Sequence, residues 1–235
     1  MNVAGKIYLI PVTLGGDDYQ QIIPEKVLIL TRSLRHFIVE DLRSARRYLR
    51  LIDKAFPIDE SVFFELNEHT RDSELNTILD PVSKGSDIGL MSEAGLPGIA
   101  DPGSRLIEIA HVKNIRVVPL SGPSSIIMAL ISSGMNGQNF VFHGYLPVKP
   151  EERNKKIKEI EKNSQHGEAQ IFMETPYRSQ KMVESLLSVC QSDTKLCIAA
   201  DITLADEFIK TKRISDWKKN IPIVNDRLVV FLIGT

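Results

Sequence analysis

Short apolar runs alternate with longer amphipathic ones along this chain. Residues 7–11, 37–39, 62–66, 88–91 and 117–120 read as strands, and the segments between them place apolar residues at helical spacing. That alternation predicts an α/β protein whose sheet is largely parallel. After about residue 120 the rhythm changes. A helix starts at Ser124, strand-like runs follow at 140–143 and 170–174, another helix starts at Tyr177, and three strand candidates crowd the end at 195–200, 208–212 and 227–233. Only a short segment at 215–219 separates the last two, which predicts an antiparallel component. The chain therefore divides into two α/β lobes, residues 1–115 and 116–235, joined near 113–121. Each lobe is a mostly parallel or mixed sheet flanked by helices. The polar stretch 149–166 reads as a helix plus surface loop inside the second lobe.

The stretch Ser92-Glu93-Ala94-Gly95-Leu96-Pro97-Gly98-Ile99-Ala100-Asp101-Pro102-Gly103-Ser104 interrupts this pattern with closely spaced Gly and Pro. Gly opens backbone angles closed to other residues and lets a ligand approach the main chain, while Pro stiffens the path. Asp101-Pro102 reads as an N-cap followed by Pro at the first helical position, opening a helix through Leu106, Ile109 and Ala110. A strand, a rigid loop and a helix start are the usual place for a small ligand in an open α/β sheet. The alternative is a tight turn without a ligand. Pro119-Leu120-Ser121-Gly122-Pro123-Ser124-Ser125 repeats the arrangement, and its serine hydroxyls at a helix start suit a polar or anionic group. Singly it is more often a capped helix. Taken as one junction per lobe, the pair predicts a cleft between lobes.

The first strand ends in Pro11-Val12-Thr13-Leu14-Gly15-Gly16, which matches neither the dinucleotide nor the P-loop pattern, so a ligand without phosphates fits better. Glu40-Asp41 and Glu174 follow strands, where carboxylates point into a cleft; helix capping or an ion pair is the alternative for each. Arg43, Arg46, Arg47 and Arg50 fall at i, i+3, i+4 and i+7, on one face of a helix whose other face carries Leu42, Ala45, Leu49 and Ile52. Such a face repels itself unless an anion neutralises it, and phosphate backbone is the economical partner. A solvated face paired with acids from elsewhere is the competing reading. The basic cluster around Lys155 is diluted by Glu151, Glu152 and Glu159 and reads as surface.

The bulk numbers exclude more than they select. A net charge of −1 over 235 residues argues against wholesale electrostatic binding of nucleic acid but permits one local basic face. No apolar run approaches the ~20 residues of a membrane span, and the first residues lead into a strand without a secretory signal, so a cytoplasmic protein is expected. Cys190 and Cys197 sit in apolar surroundings without ligand spacing and read as buried thiols; no metal site is expected.

The segments SEAGLPGIADPGSRLIEIA, RVVPLSGPSSIIMALISSG, FHGYLP and ETPYR, in this order and spacing, resemble the tetrapyrrole methylase superfamily. Within it the chain is most similar to the small-subunit ribosomal RNA 2′-O-methyltransferases. The resemblance runs from Tyr8 to Val230. It implies a two-lobed α/β fold that holds S-adenosyl-L-methionine in the interlobe cleft, often as a homodimer, with ribosomal RNA or the small ribosomal subunit as partner. Carried over by matching position, the cofactor would touch Pro11, Leu14, Ser92, Leu96, Pro97, Ile99, Ala100, Asp101, Ser124, Ser125, Met173, Glu174 and Ala199. The family's PTPIGN, AEDTR and SDAG stand here as Pro11-Val12-Thr13-Leu14-Gly15-Gly16, Val39-Glu40-Asp41-Leu42-Arg43 and Ser92-Glu93-Ala94-Gly95, departures on the substrate-facing side. Methyl transfer from a sulfonium disperses positive charge, so apolar groups such as Leu96, Ile99 and Met173 are expected near the sulfur. A ribose hydroxyl needs a base, for which Glu40 or Asp41 stands nearest the arginines, with Glu93 and Glu174 as further candidates. Competing readings are a methyltransferase for a tetrapyrrole or other small acceptor, and a cofactor-binding relative without turnover.

Overall fold

The computed structural model describes residues 5–67 and 70–234. The chain forms two compact units, Met1–Ser124 and Ser125–Thr235. The first is built on β1 (Lys6–Leu9), β2 (His36–Val39), β3 (Val62–Glu65), β4 (Ile88–Met91) and β5 (Arg116–Pro119), in the spatial order β3-β2-β4-β1-β5. All pairs are parallel. Such strands are covered on both faces, and β4 is buried at every position.

The helices α1 (Tyr19–Ile22), α2 (Glu25–Ser33) and α3 (Leu42–Ile52) belong to one face of this sheet. There Val27, Leu28, Ala45, Leu49 and Ile52 share a core with Ile10, Phe37 and Val39. On the other face α4 (Asp72–Ile78), α5 (Asp80–Ser83) and α6 (Gly103–Val112) bury Leu75, Val82 and Leu106 against Ile7, Ile38, Ile88 and Leu90. Successive β2 residues thus serve opposite cores, as strand periodicity requires. The connections through α1–α3 run one way along the sheet and those through α4–α6 return, which right-handed crossovers permit only with the helices on opposite faces. As a result β4 lies between β1 and β2 while its own chain leaves towards the other face. That reversal is the topological switch point at which open α/β sheets hold ligands.

The strand at 116–119 was expected to open the second lobe. It pairs with β1 along its whole length instead and completes the first sheet, so the units divide after Ser124 and not at 115. The second unit begins with α7 (Ser125–Ser133) and continues with β6 (Phe140–Tyr145), α8 (Pro150–Ser164), β7 (Ala169–Glu174), α9 (Ser179–Val189), β8 (Lys195–Ala200), β9 (Phe208–Arg213), α10 (Ile214–Trp217) and β10 (Val229–Gly234). Its sheet runs β6-β7-β10-β8-β9. Only β6 and β7 are parallel neighbours; the other pairs are antiparallel. The mixed sheet read from the crowded final strands is therefore present. Phe172, Phe231, Ile198 and Trp217 form its main core with Ile157 and Ile160 of α8 and Val183 and Leu186 of α9.

Candidate active site

Because β1, β2, β4 and β5 are parallel, the loops that follow them rise from one edge of the N-terminal sheet. Both Gly/Pro junctions belong to this edge, following β4 and β5 on either side of β1. The expectation of one junction per lobe is corrected accordingly, since β5 pairs in the first sheet. The junctions are fitted to the loop after β1. Val12 forms an antiparallel bridge with Gly95, its amide donating to the Gly95 carbonyl at 2.9 Å. A Cβ on Gly122 would stand 2.1 Å from Pro11 Cβ, so only glycine lets the 121–124 turn lie against Pro11. Tyr48 of α3, buried, donates from its hydroxyl to the Pro11 carbonyl at 3.2 Å and ties the same loop to the helix.

Asp101 holds the Gly-rich loop closed. Its carboxylate accepts from the Gly98 amide at 3.0 and 2.8 Å and from the Gly103 amide at 2.7 Å. Pro102 is the N-cap of α6 in place of the expected Asp101, although Asp101 still supplies the capping oxygen at one remove. Burial raises the Asp101 pKa, and the amides of Gly103 and Gly98 oppose that shift. Gly98 has φ +89°, and a Cβ there would meet Ile107 Cδ1 at 3.1 Å. Its missing side chain thus serves the loop's own packing and not ligand approach alone. Ile99 is 43% exposed, and Ala100 adopts φ +60°, outside the range most residues accept.

Glu40, Leu66, Leu90, Met91, Ser92, Pro97, Asp101, Pro102 and Gly103 surround a depression at the ends of β2, β3 and β4, on the switch point. Of the sequence candidates it gathers Glu40, Ser92, Pro97 and Asp101. Pro11, Leu14, Leu96, Ile99, Ala100 and Ser124 lie on the surrounding loops. Leu66, Leu90 and Met91 carried no chemical signal in the sequence, since terminal strand residues look alike whether they line a site or a core.

The structure separates the two candidate bases. Asp41 caps α3, accepting from the Ser44 amide at 2.7 Å, and that bond together with the nearby Arg43 charge lowers its pKa. Glu40 points into the depression, where its Oε2 accepts from the Glu93 amide at 3.2 Å. Burial raises its pKa, the Glu93 amide pulls it down, and the charges of Glu93, Asp101 and Asp41 push it up again. A carboxylate shifted upward in a depression has the properties of a proton acceptor, while a helix cap does not.

The α3 helix presents Arg43, Arg46, Arg47 and Arg50 to solvent, and Ala45, Tyr48, Leu49 and Ile52 to the core. None of the four arginines is within ion-pair distance of a carboxylate among the described residues. Arg46 stacks over Phe63 at 5.4 Å, and Arg50 donates to the Lys54 carbonyl at 2.8 Å. Since α3 starts directly after Glu40 and Asp41, Arg43 follows Glu40 by three residues, and the arginine ridge runs about 10 Å along the helix from there.

In the second unit, Met173 and Ala199 are both cross-strand partners of Val230, so they share one row of the sheet. Ser125 opens α7. Glu174 is locked, its side chain 1% exposed and its Oε1 accepting from the Thr175 amide at 2.7 Å, the Thr175 hydroxyl at 3.1 Å and Arg178 at 2.5 Å. It is an internal ion-pair partner and a poor candidate for proton transfer. Cys190 and Cys197 are buried free thiols whose pKa burial raises. Among the described residues no group of His, Cys, Asp and Glu is placed to hold a metal ion, and no helix is long and apolar enough to cross a membrane.

The site's relatives are known proteins. Residues 21–217 match the tetrapyrrole (corrin/porphyrin) methylases. The ribosomal RNA small subunit methyltransferase I of Vibrio cholerae is 32% identical over 211 residues, 89% of this chain and 69% of that protein. Its namesake from Haemophilus influenzae is 31% identical over 222 residues, covering 92% and 74% of the two chains. That of Bacillus subtilis is 27% identical over 207 residues, covering 88% and 67%. Among solved structures, the methyltransferase CobJ superposes with a TM-score of 0.65 at 17% identity, covering 99% of this chain and 95% of that one, which shows the shared fold. The chain belongs to the tetrapyrrole methylase family and is a methyltransferase.

Proposed function

We propose that this chain transfers a methyl group from S-adenosyl-L-methionine to a ribose 2′-hydroxyl of small-subunit ribosomal RNA. The observation that carries this reading is the arginine ridge of α3, which has no ion-pair partner among the described residues and starts three residues after Glu40, a residue that lines the depression. A tetrapyrrole also carries carboxylates, but on one compact ring, whereas a helix face with four exposed guanidiniums spread over about 10 Å matches the spaced charges of a phosphate backbone. The names of the relatives point the same way. With a net charge of −1 and one basic face, the chain has little means of reading naked RNA sequence, so the substrate is an assembled particle.

The residues present suit the donor. Leu90, Met91 and Pro97 give apolar walls, and the carboxylates of Glu40 and Asp101 give a negative field for a cationic ligand. In this reading Pro11, Leu14, Ser92, Leu96, Pro97, Ile99, Ala100, Asp101, Ser124, Ser125, Met173 and Ala199 bind it, together with Glu174 through its main chain, its side chain being committed to Arg178 and Thr175. When bound, the donor supplies an electrophilic methyl carbon on a positively charged sulfur. Asp101 keeps the 92–103 loop in one shape, so the acceptor is positioned without reorganisation. Glu40 takes the proton of the ribose hydroxyl on Oε1, because Oε2 is engaged by the Glu93 amide, which also orients the carboxylate. Arg43, Arg46, Arg47 and Arg50 hold RNA phosphates. The enzyme acts in the cytoplasm as a homodimer.

The test uses the chemistry of the product. A free 2′-hydroxyl cleaves RNA in alkali, and a 2′-O-methyl group protects its linkage. Small subunits lacking the modification are incubated with methyl-labelled donor and hydrolysed in base. Label in a resistant dinucleotide is the expected result. Label in mononucleotides means methylation of a base, and label confined to small molecules means a tetrapyrrole-type acceptor; either overturns the reading.

A further inference from the structure

We infer that Tyr145 and Tyr177 form a stacking platform for an unpaired nucleobase of the RNA, a proposal that rests on the RNA reading above. The chain contains 9 Phe, 5 Tyr and 1 Trp. Among the described residues, Tyr145, at 53%, and Tyr177, at 73%, are the only aromatic ones more than half exposed. Both stand at the carboxyl ends of neighbouring parallel strands, Tyr145 at the end of β6 and Tyr177 in the 3-10 turn Pro176–Arg178 after β7. Two exceptions at one place on one sheet edge call for a common cause.

Local structure builds this placement. The β6–β7 ladder pairs Phe142 with Ile171 and next pairs Tyr145 with Met173, so β6 carries one extra residue. The irregularity falls at Gly144, which has φ +66° and no atom within 4 Å of a Cβ built on it. Glycine is there for its backbone angle, and the bulge makes tyrosine, in place of residue 144, the partner of Met173. Tyr177 is held differently. The Arg178 guanidinium lies 5.7 Å from its ring centroid, and Arg178 is itself anchored by Glu174 at 2.5 Å. The ring therefore has an anchored cation beside it while most of its surface remains exposed. A bulge sets the backbone position of one exposed ring and an anchored cation lies beside the other, and exposed π-faces suit a base splayed out of single-stranded RNA.

The test compares a short single-stranded RNA oligonucleotide with its abasic equivalent of the same length and charge, at fixed salt. Tyr145→Ala and Tyr177→Ala are each expected to weaken binding of the base-containing oligonucleotide about tenfold to a hundredfold. Binding of the abasic one should stay within twofold. Tyr145→Phe and Tyr177→Phe keep the ring and should keep the affinity, and melting temperatures should not move, since both side chains are exposed. On small subunits, the alanine variants should raise KM with kcat little changed. Equal losses on both oligonucleotides, or no loss on either, overturn the platform while leaving the RNA reading intact. Loss of S-adenosylmethionine affinity in calorimetry with RNA binding unaffected would assign the rings to the donor and also overturn it. If the unaltered chain binds neither RNA probe nor small subunits, the RNA reading falls and the platform with it.

Discussion

At the carboxyl edge of the N-terminal sheet every strand points the same way, and the loops after β1, β2, β4 and β5 crowd together there. At the corresponding edge of the C-terminal sheet β6, β7 and β8 end while β9 and β10 begin. Each edge carries a glutamate directly at a strand end, and the two are used in opposite ways. Glu40 keeps one oxygen uncommitted in a depression, with its pKa raised by burial and neighbouring charge. Glu174 is sealed and spends its charge on Arg178 and Thr175. Strand-end position alone does not make a carboxylate chemical; what matters is whether the following loop supplies its hydrogen-bond partners.

The largest expected effect falls on Glu40. Replacing it by Gln should lower methyl transfer by about 10²–10⁴-fold, with a much smaller loss of donor affinity and the melting temperature unchanged. Because its pKa is raised, the active unprotonated form is lost as pH falls through a value above that of ordinary glutamate, so the acid limb of the kcat/KM profile should lie there. A profile flat across that region would remove Glu40 as the base. Glu174→Ala should do the reverse. It leaves Arg178 uncompensated and should cost about 3 kcal/mol of stability in chemical denaturation, with no change in the acid limb. Full stability in that variant would mean that the ion pair is not what locks this edge.

Smaller effects separate the loops. Gly122→Ala drives a Cβ into Pro11 and should cost about 3 kcal/mol, because neither backbone nor proline ring can yield easily. Gly144→Ala meets open space and strains only the backbone, at about 1 kcal/mol. Equal costs would show that packing of the 121–124 turn contributes nothing beyond conformation. The smallest effect concerns salt. Arg43→Gln should reduce the slope of log RNA affinity against log salt by about 0.7, the value of one phosphate contact to a single strand. Arg50→Gln, whose parent side chain is already bonded to the Lys54 carbonyl, should reduce it less.

The N-terminal edge was legible in the sequence because its signals are conformational. Gly95, Gly98 and Gly103 interleaved with Pro97 and Pro102 announce a shaped loop, and the spacing of four arginines fixes their shared face. What the sequence could not resolve was which of two adjacent carboxylates was free, since that depends on Ser44 reaching Asp41 and on Glu93 reaching Glu40 across the β2–β4 gap. The placement of β5 was misjudged for a similar reason. Its partner, β1, lies more than a hundred residues earlier in the chain, and hydrophobic period carries no information about long-range pairing. At the C-terminal edge Met173 and Ala199 are ordinary strand residues, visible only through resemblance, and the role of Tyr145 depends on a bulge that a single glycine in a strand merely hints at.

The position of β10 has a consequence for how the protein is made. The N-terminal sheet has all its strands once residue 119 is in place, and it can close while the rest of the chain is still being synthesised. The C-terminal sheet cannot. Its last strand to be synthesised, Val229–Gly234, is the central one, inserted between β7 and β8, so until it arrives the apolar faces of Phe172 and Ile198 have no partner in Phe231. One half of the molecule can thus fold on the ribosome while the other waits for residue 234, exposed to aggregation in the interval.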